Sequence, residues 1–167
     1  IAVRDIEVRS IGSTMVLPEP KVAHADEGTG SNDPANSIML LEGKVLACGE
    51  GTSLGVATHS REDQKTFIEM DTTDDYDGTN AIDVAVMCKE SEKPTFFVLL
   101  NTGKILLCGW GLGLGMTGSN IQSKVTLTPI NTAAGYDGTN AKKIFSGRQQ
   151  FFTILNSGKI LALGEGL

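Results

Sequence analysis

Apolar residues in this chain come in short runs separated by polar, glycine-bearing stretches, and many of the runs come in pairs. Ser37-Ile-Met-Leu-Leu-Glu-Gly-Lys-Val-Leu-Ala-Cys-Gly49 is two such runs joined at Glu42-Gly43. Phe96-Phe-Val-Leu-Leu100 and Phe151-Phe-Thr-Ile-Leu155 open two further pairs, joined at Asn101-Thr-Gly103 and Asn156-Ser-Gly158. The runs are rich in β-branched and aromatic residues, which predicts strand over helix. A joint of Asn, a small polar residue and Gly suits a tight hairpin, because Gly takes positive φ without a Cβ penalty. Each copy therefore reads as strand, tight turn, strand.

A second pattern precedes two of these hairpins. Tyr76-Asp-Gly-Thr-Asn-Ala81 recurs word for word as Tyr136-Asp-Gly-Thr-Asn-Ala141. Its Asp-Gly and Asn predict a turn that feeds a further strand, Ile82 to Met87 in one copy and Ile144 to Phe145 in the other. Ahead of the first hairpin, Ile1 to Ser10 alternates well enough to be a strand. Met15 to Val22 carries Pro18 and Pro20, so it is an edge or connecting segment, and His24 to Asn36 is a polar loop.

The spacings agree. The Tyr-Asp-Gly block recurs after 60 residues, and the Gly-Lys hairpin after 60 and then 55. The difference falls between block and hairpin, where Cys88 to Pro94 is an expanded loop and Gly147 to Gln150 a compact one. Loops that change length while flanking strands keep register are the mark of a structural repeat. The fold class expected is all-β: propeller blades in about three repeats of 55–60 residues, a partial propeller or part of a larger ring. Residues 1–36 are then an N-terminal strand and loop, the remnant of a preceding blade. Residues 37–96 are the first repeat, 97–151 the second, and 152–167 the start of the third.

Ser146-Gly-Arg-Gln-Gln-Phe-Phe-Thr-Ile-Leu-Asn-Ser-Gly-Lys-Ile-Leu-Ala-Leu-Gly164 resembles the regulator of chromosome condensation repeat, as do the exit loops ending Leu54-Gly55 and Leu114-Gly115. The resemblance covers about Ser37 to Leu167 and implies a β-propeller, usually of about seven blades. It also shows departures. The family's inner His falls at Gln150, Thr95 and Ala35, and its aromatic before the Gly falls at Leu163, Cys108 and Cys48. The chain is thus expected to be a divergent member. Two or three blades alone leave bare sheet edges, so a piece of a larger propeller is expected ahead of several chains completing one ring.

Composition narrows the partners. With 14 basic and 20 acidic residues the net charge is −6, which argues against nucleic acid or an anionic membrane. No run approaches the roughly 18 apolar residues of a membrane span. Cys48 and Cys108 share a repeat position with Leu163, so that position is a small apolar core site rather than a metal or redox pair. Three thiols without a pairing pattern point to a reducing, cytoplasmic compartment, with a virion or extracellular assembly as the alternative.

Candidate chemistry is sparse. Asp71, Asp74, Asp75 and Asp77 resemble an acidic calcium loop, but Thr73 breaks the EF-hand spacing and the second copy keeps only Asp137, so a turn is the expected shared role. Gly109-Trp-Gly-Leu-Gly-Leu-Gly115 lacks the lysine of a nucleotide loop. His24 and His59 occupy neither strand nor repeat-equivalent positions, which makes a hydrolytic triad improbable. No enzyme, cofactor or metal is expected. Trp110 replaces Glu50 and Glu165 of the other copies, so it reads as an exposed anchor for a protein partner, flanked by Leu112 and Leu114. The loops that differ between copies, Cys88 to Thr95, Gly109 to Asn120 and Ser60 to Asp75, are the other candidates, with Lys89, Glu90, Glu92 and Lys93 as charged contacts. The function expected is a non-enzymatic repeat module whose loops bind protein. The alternatives are a structural or receptor-binding part of a viral or extracellular fibre, and guanine-nucleotide exchange on a small GTPase.

Overall fold

A computed structural model describes residues 19–25, 36–49, 51, 54–56, 62–88, 94–109, 124–132, 135–147 and 150–164. Among them there is no α-helix, and the strands form three antiparallel sheets. The first sheet runs in order β1 (Lys21–Ala25), β2 (Asn36–Leu41), β3 (Lys44–Gly49), β4 (Gln64–Glu69). The second is β5 (Ala81–Met87), β6 (Thr95–Leu100), β7 (Ile105–Gly109), β8 (Lys124–Pro129). The third is β9 (Ala141–Ser146), β10 (Gln150–Leu155), β11 (Ile160–Gly164).

The paired runs are hairpins at the expected joints, with two turn geometries. In the second and third sheets, Gly103 N–H donates to Leu100 O and Gly158 N–H to Leu155 O, each at 2.9 Å, and φ is +79° and +84° at the glycines. That is a three-residue loop ending in a left-handed Gly. In the first sheet Leu41 pairs directly with Lys44, and Glu42 and Gly43 both have positive φ, 51° and 82°. A two-residue loop with two positive φ values matches the right-handed strand twist. It also shortens the first repeat by one residue. The counterpart of Thr95 and Gln150 at the head of the hairpin is therefore Asn36, not Ala35.

Two outer strands, one in each of the first two sheets, are not expected from the sequence. Ser60 to Asp75 was expected as a loop, yet Gln64–Glu69 is strand β4, and Lys124–Pro129 is its counterpart β8. Both are outermost strands with much polar, exposed surface, so no apolar run marks them. They are held alike, with Met70 N–H donating to Val45 O at 2.9 Å and Ile130 N–H to Ile105 O at 3.1 Å. Lys21–Ala25 is also a strand, which places His24 in β1 rather than in a loop and makes β1 the opposite edge of the first sheet. Residues Ile1 to Ser10 lie outside the described residues.

Period-2 alternation supplies two cores, one on each side of the second sheet. Val84, Val86, Phe96, Val98, Leu100, Leu106 and Cys108 pack towards Ile38, Val45 and Ala47 of the first sheet. Ala85, Phe97, Leu99, Ile105 and Leu107 pack towards Ile144, Phe151 and Leu155 of the third. Phe97 and Phe151 stack across this second joint with centroids 4.0 Å apart. β6 and β7 are accordingly buried along their whole length, which no other hairpin is.

The hairpin glycines differ in what they face. A Cβ on Gly103 would lie 1.9 Å from Thr139 O, and one on Gly43 1.9 Å from Thr79 O, whereas one on Gly158 meets nothing within 4 Å. Gly158→Ala carries only the left-handed backbone penalty of roughly 1–2 kcal/mol. Gly103→Ala carries that and a backbone collision as well, so it should cost at least about 2 kcal/mol more. Urea unfolding of the two variants measures the difference.

Candidate functional site at the joints and rims of the sheets

The repeated Tyr-Asp-Gly-Thr-Asn block is a turn that ties its own ends. Asp77 Oδ1 accepts from Thr79 N–H at 2.7 Å and from Thr79 Oγ1 at 2.9 Å; Asp137 accepts from Thr139 at 2.8 and 3.0 Å. Asn80 Nδ2 donates to Asp75 O at 2.8 Å, and Asn140 Nδ2 to Gly135 O at 2.9 Å. These bonds, the Thr79 backbone N–H foremost, hold the Asp77 carboxyl below its ordinary value. The expected turn role is what both copies perform.

Each turn also grips two hairpins. Val45 N–H donates to Tyr76 Oη and Ile105 N–H to Tyr136 Oη, both at 2.8 Å, so each tyrosine reaches the sheet before its own. Ala81 N–H donates to Gly43 O and Ala141 N–H to Gly103 O, both at 3.2 Å. Forwards, Asn101 N–H donates to Asn80 O at 2.9 Å and Asn156 N–H to Asn140 O at 2.8 Å, anchoring the hairpin of the block's own sheet. Burial of Tyr76 and Tyr136 raises both phenol pKa values, with the bonds from Val45 and Ile105 opposing that rise. The ring fills the joint while the hydroxyl satisfies a buried N–H, a role for which Phe has no group.

Asp83 is a second pin. Register places Lys21, Asp83 and Lys143 at one repeat position, opposite Leu40, Leu99 and Ile154. Asp83 is buried, accepts a charged bond from Lys21 Nζ of the first sheet, and through Oδ2 accepts from Ile144 N–H of the third at 3.2 Å. One carboxylate thus touches all three sheets. Repetition in the sequence does not mark it, because its counterpart after the second Tyr-Asp-Gly block is Lys143. The signal that finds it is an Asp inside a strand whose neighbours, Val84 to Met87, are apolar.

The side chains expected to bind a partner, Trp110, Leu112, Leu114, Lys89, Glu90, Glu92 and Lys93, all lie outside the described residues. Of the cysteines, Cys108 is fully buried and its thiol pKa is pushed well up by desolvation, while Cys48 and Leu163 at the same repeat position are half-buried. All three cysteines are thiols rather than disulfides. His24 Nδ1 lies 2.6 Å from Ser37 Oγ, its register partner, and Ser37 is buried, so the pair ties β1 to β2. Asp75 pairs with Lys104 Nζ. Among the described residues no three His, Cys, Asp or Glu side chains converge as metal ligands, and no helix is long and apolar enough to cross a membrane.

No family model matches the sequence, and no curated protein matches it. Among solved structures the chain is similar to human WBSCR16, with a TM-score of 0.62 at 16% sequence identity. The match covers 88% of this chain and 35% of that one, so the chain spans about a third of that protein's length. At this identity the likeness is one of fold: the three sheets are β-propeller blades.

Removing one hydroxyl tests the clamp. Tyr136→Phe leaves the Ile105 N–H buried without its acceptor and should cost about 1–3 kcal/mol in chemical unfolding. The raised pKa values of Tyr76, Tyr136 and Cys108 set a pH dependence. A group whose folded pKa lies above its unfolded one contributes stability that is complete below the unfolded value and is lost as pH climbs through the folded one. Stability should therefore hold up to pH 9 and fall above it, since the ordinary values are 9.0 for the thiol and 10.0 for the phenols. Replacing both tyrosines by Phe should flatten the fall beyond pH 10.0. Thermal melts from pH 7 to pH 11 measure the slope.

Proposed function

We propose that the chain is a divergent member of the regulator of chromosome condensation repeat family, acting as a non-enzymatic interaction module whose rim loops bind protein. The observation behind this reading is a division of labour among residues. Of the side chains shared between repeats, Tyr76 and Tyr136 are consumed in joining blades, and Asp77, Asp137, Asn80 and Asn140 in closing the turns that carry those tyrosines. The repeats differ in length at their connecting loops, Cys88 to Pro94 against Gly147 to Gln150, and loops on a scaffold of strands are where binding residues concentrate. Trp110 stands where two other copies carry Glu, and a tryptophan at a solvent-facing loop position is a strong anchor for a protein surface. Leu112 and Leu114 follow it in the sequence, and Lys89, Glu90, Glu92 and Lys93 are the charged partner contacts of this reading.

A protein partner should therefore be retained by the immobilised chain in a saturable manner. Trp110→Ala should weaken it by about 30-fold or more, the scale of an interface hot spot, while leaving the unfolding midpoint unchanged. Retention of the same proteins at the same affinity by the variant would remove Trp110 from the interface. A chain that retains no protein saturably at all would contradict the proposal as a whole.

A further inference from the structure

The third blade carries an acceptor for a blade that is not among the three, and the two filled joints specify what fits it. In the filled joints, Val45 and Ile105 are 0% exposed, each beneath a tyrosine hydroxyl. Their counterpart is Ile160, at 59% the most exposed of the large apolar side chains described. The hairpin glycines Gly43 and Gly103 lie against Thr79 O and Thr139 O, while Gly158 faces none of the described residues within 4 Å of a Cβ. Phe97 and Leu99, fully buried on the second blade, correspond to Phe152 and Ile154, which are only half-buried. Phe145, in the place of Ala85, enlarges the same apolar face and stacks on Phe152 at 5.1 Å.

We infer that this face binds a further blade of the same repeat type, one that opens with a Tyr-Asp-Gly-Thr-Asn-Ala block and carries a carboxylate two residues after the Ala. The block is required because it is what covers both equivalent faces. The carboxylate follows from charge. Around the inner strands the shared position reads Lys21, Asp83, Lys143, and the Lys21–Asp83 contact joins the first blade to the second. Lys143 is an exposed cation at the position of Lys21, so the next blade presents an acid to it as Asp83 does to Lys21. An aromatic at the second residue of the hairpin then stacks on Phe152 as Phe151 does on Phe97.

A second copy of this chain is a poor occupant. Both of its tyrosine blocks are already seated in its own joints. Its first blade is preceded by Val16-Leu-Pro-Glu-Pro20 rather than by a block, and it would set Lys21 against Lys143. The second repeat of the chain, in contrast, carries all three required features in Tyr76, Asp83 and Phe96.

The test joins a copy of residues 53–109 after Leu167, which keeps the repeat frame because Gly164-Glu-Gly166 aligns with Gly49-Glu-Gly51. Backbone hydrogen exchange at Ile160 is the readout. The extension should slow it at least about 10-fold relative to the unextended chain, as expected when a fraying edge becomes an internal joint. Tyr76→Phe within the appended copy should abolish most of that protection, and Asp83→Lys within the copy should abolish part of it. Unchanged exchange at Ile160, including the case where the appended segment stays unfolded, overturns the acceptor. Slowed exchange that is indifferent to Asp83→Lys overturns the Lys143 element alone. A scrambled copy of the same composition that protects Ile160 equally would reduce the effect to nonspecific cover.

Discussion

A phenol hydroxyl placed over one backbone N–H is the interaction on which the stack of blades depends. Strands inside each blade satisfy one another, but the second residue after each hairpin glycine, Val45 or Ile105, turns its N–H into the joint. There it is buried, and a buried donor without an acceptor is expensive. Tyr76 and Tyr136 supply the acceptor from the next blade, and the alanine N–H five residues on returns a bond to the hairpin glycine carbonyl. The same approach brings Thr79 and Thr139 carbonyls against a glycine Cα, closer than any Cβ permits. Glycine at the hairpin and tyrosine in the block are therefore one device split between two blades.

The consequence is a molecule whose cohesion is counted in joints. Among the described residues, one core joins the first blade to the second and another the second to the third, as expected for a quasi-one-dimensional repeat. The second blade, covered on both faces, is its most buried part, and Asp83 makes that blade the hub by holding Lys21 on one side and Ile144 N–H on the other. The turns are committed to these contacts and the loops between strands change length from repeat to repeat, and the functional proposal rests on those loops.

Much of the architecture was readable from residues, for physical reasons that also explain the failures. Hairpins were legible because Asn-Thr-Gly and Asn-Ser-Gly between apolar runs leave the chain few alternatives. The Tyr-Asp-Gly-Thr-Asn block was legible as a turn, since its Asp and Asn bonds are local, within five residues. Its grip on the preceding blade was not, because Tyr76 and Val45 are 31 residues apart and nothing in spacing reports a hydrogen bond across that distance. Strands β4 and β8 escaped because an outer edge strand has little to bury. The shift from Ala35 to Asn36 came from one residue missing in the Glu42-Gly43 turn. Asp83 escaped because a buried charge is defined by partners on other strands. Trp110 and its neighbours remain a reading of sequence alone.

The most direct measurement of the joint is residue-resolved hydrogen exchange in the two single tyrosine variants, under conditions where local opening dominates. If each hydroxyl caps one donor, Tyr76→Phe accelerates exchange at Val45 and leaves Ile105 unchanged, while Tyr136→Phe does the reverse. Acceleration at both amides in either variant, or at neither, would contradict the account that each tyrosine holds its own joint.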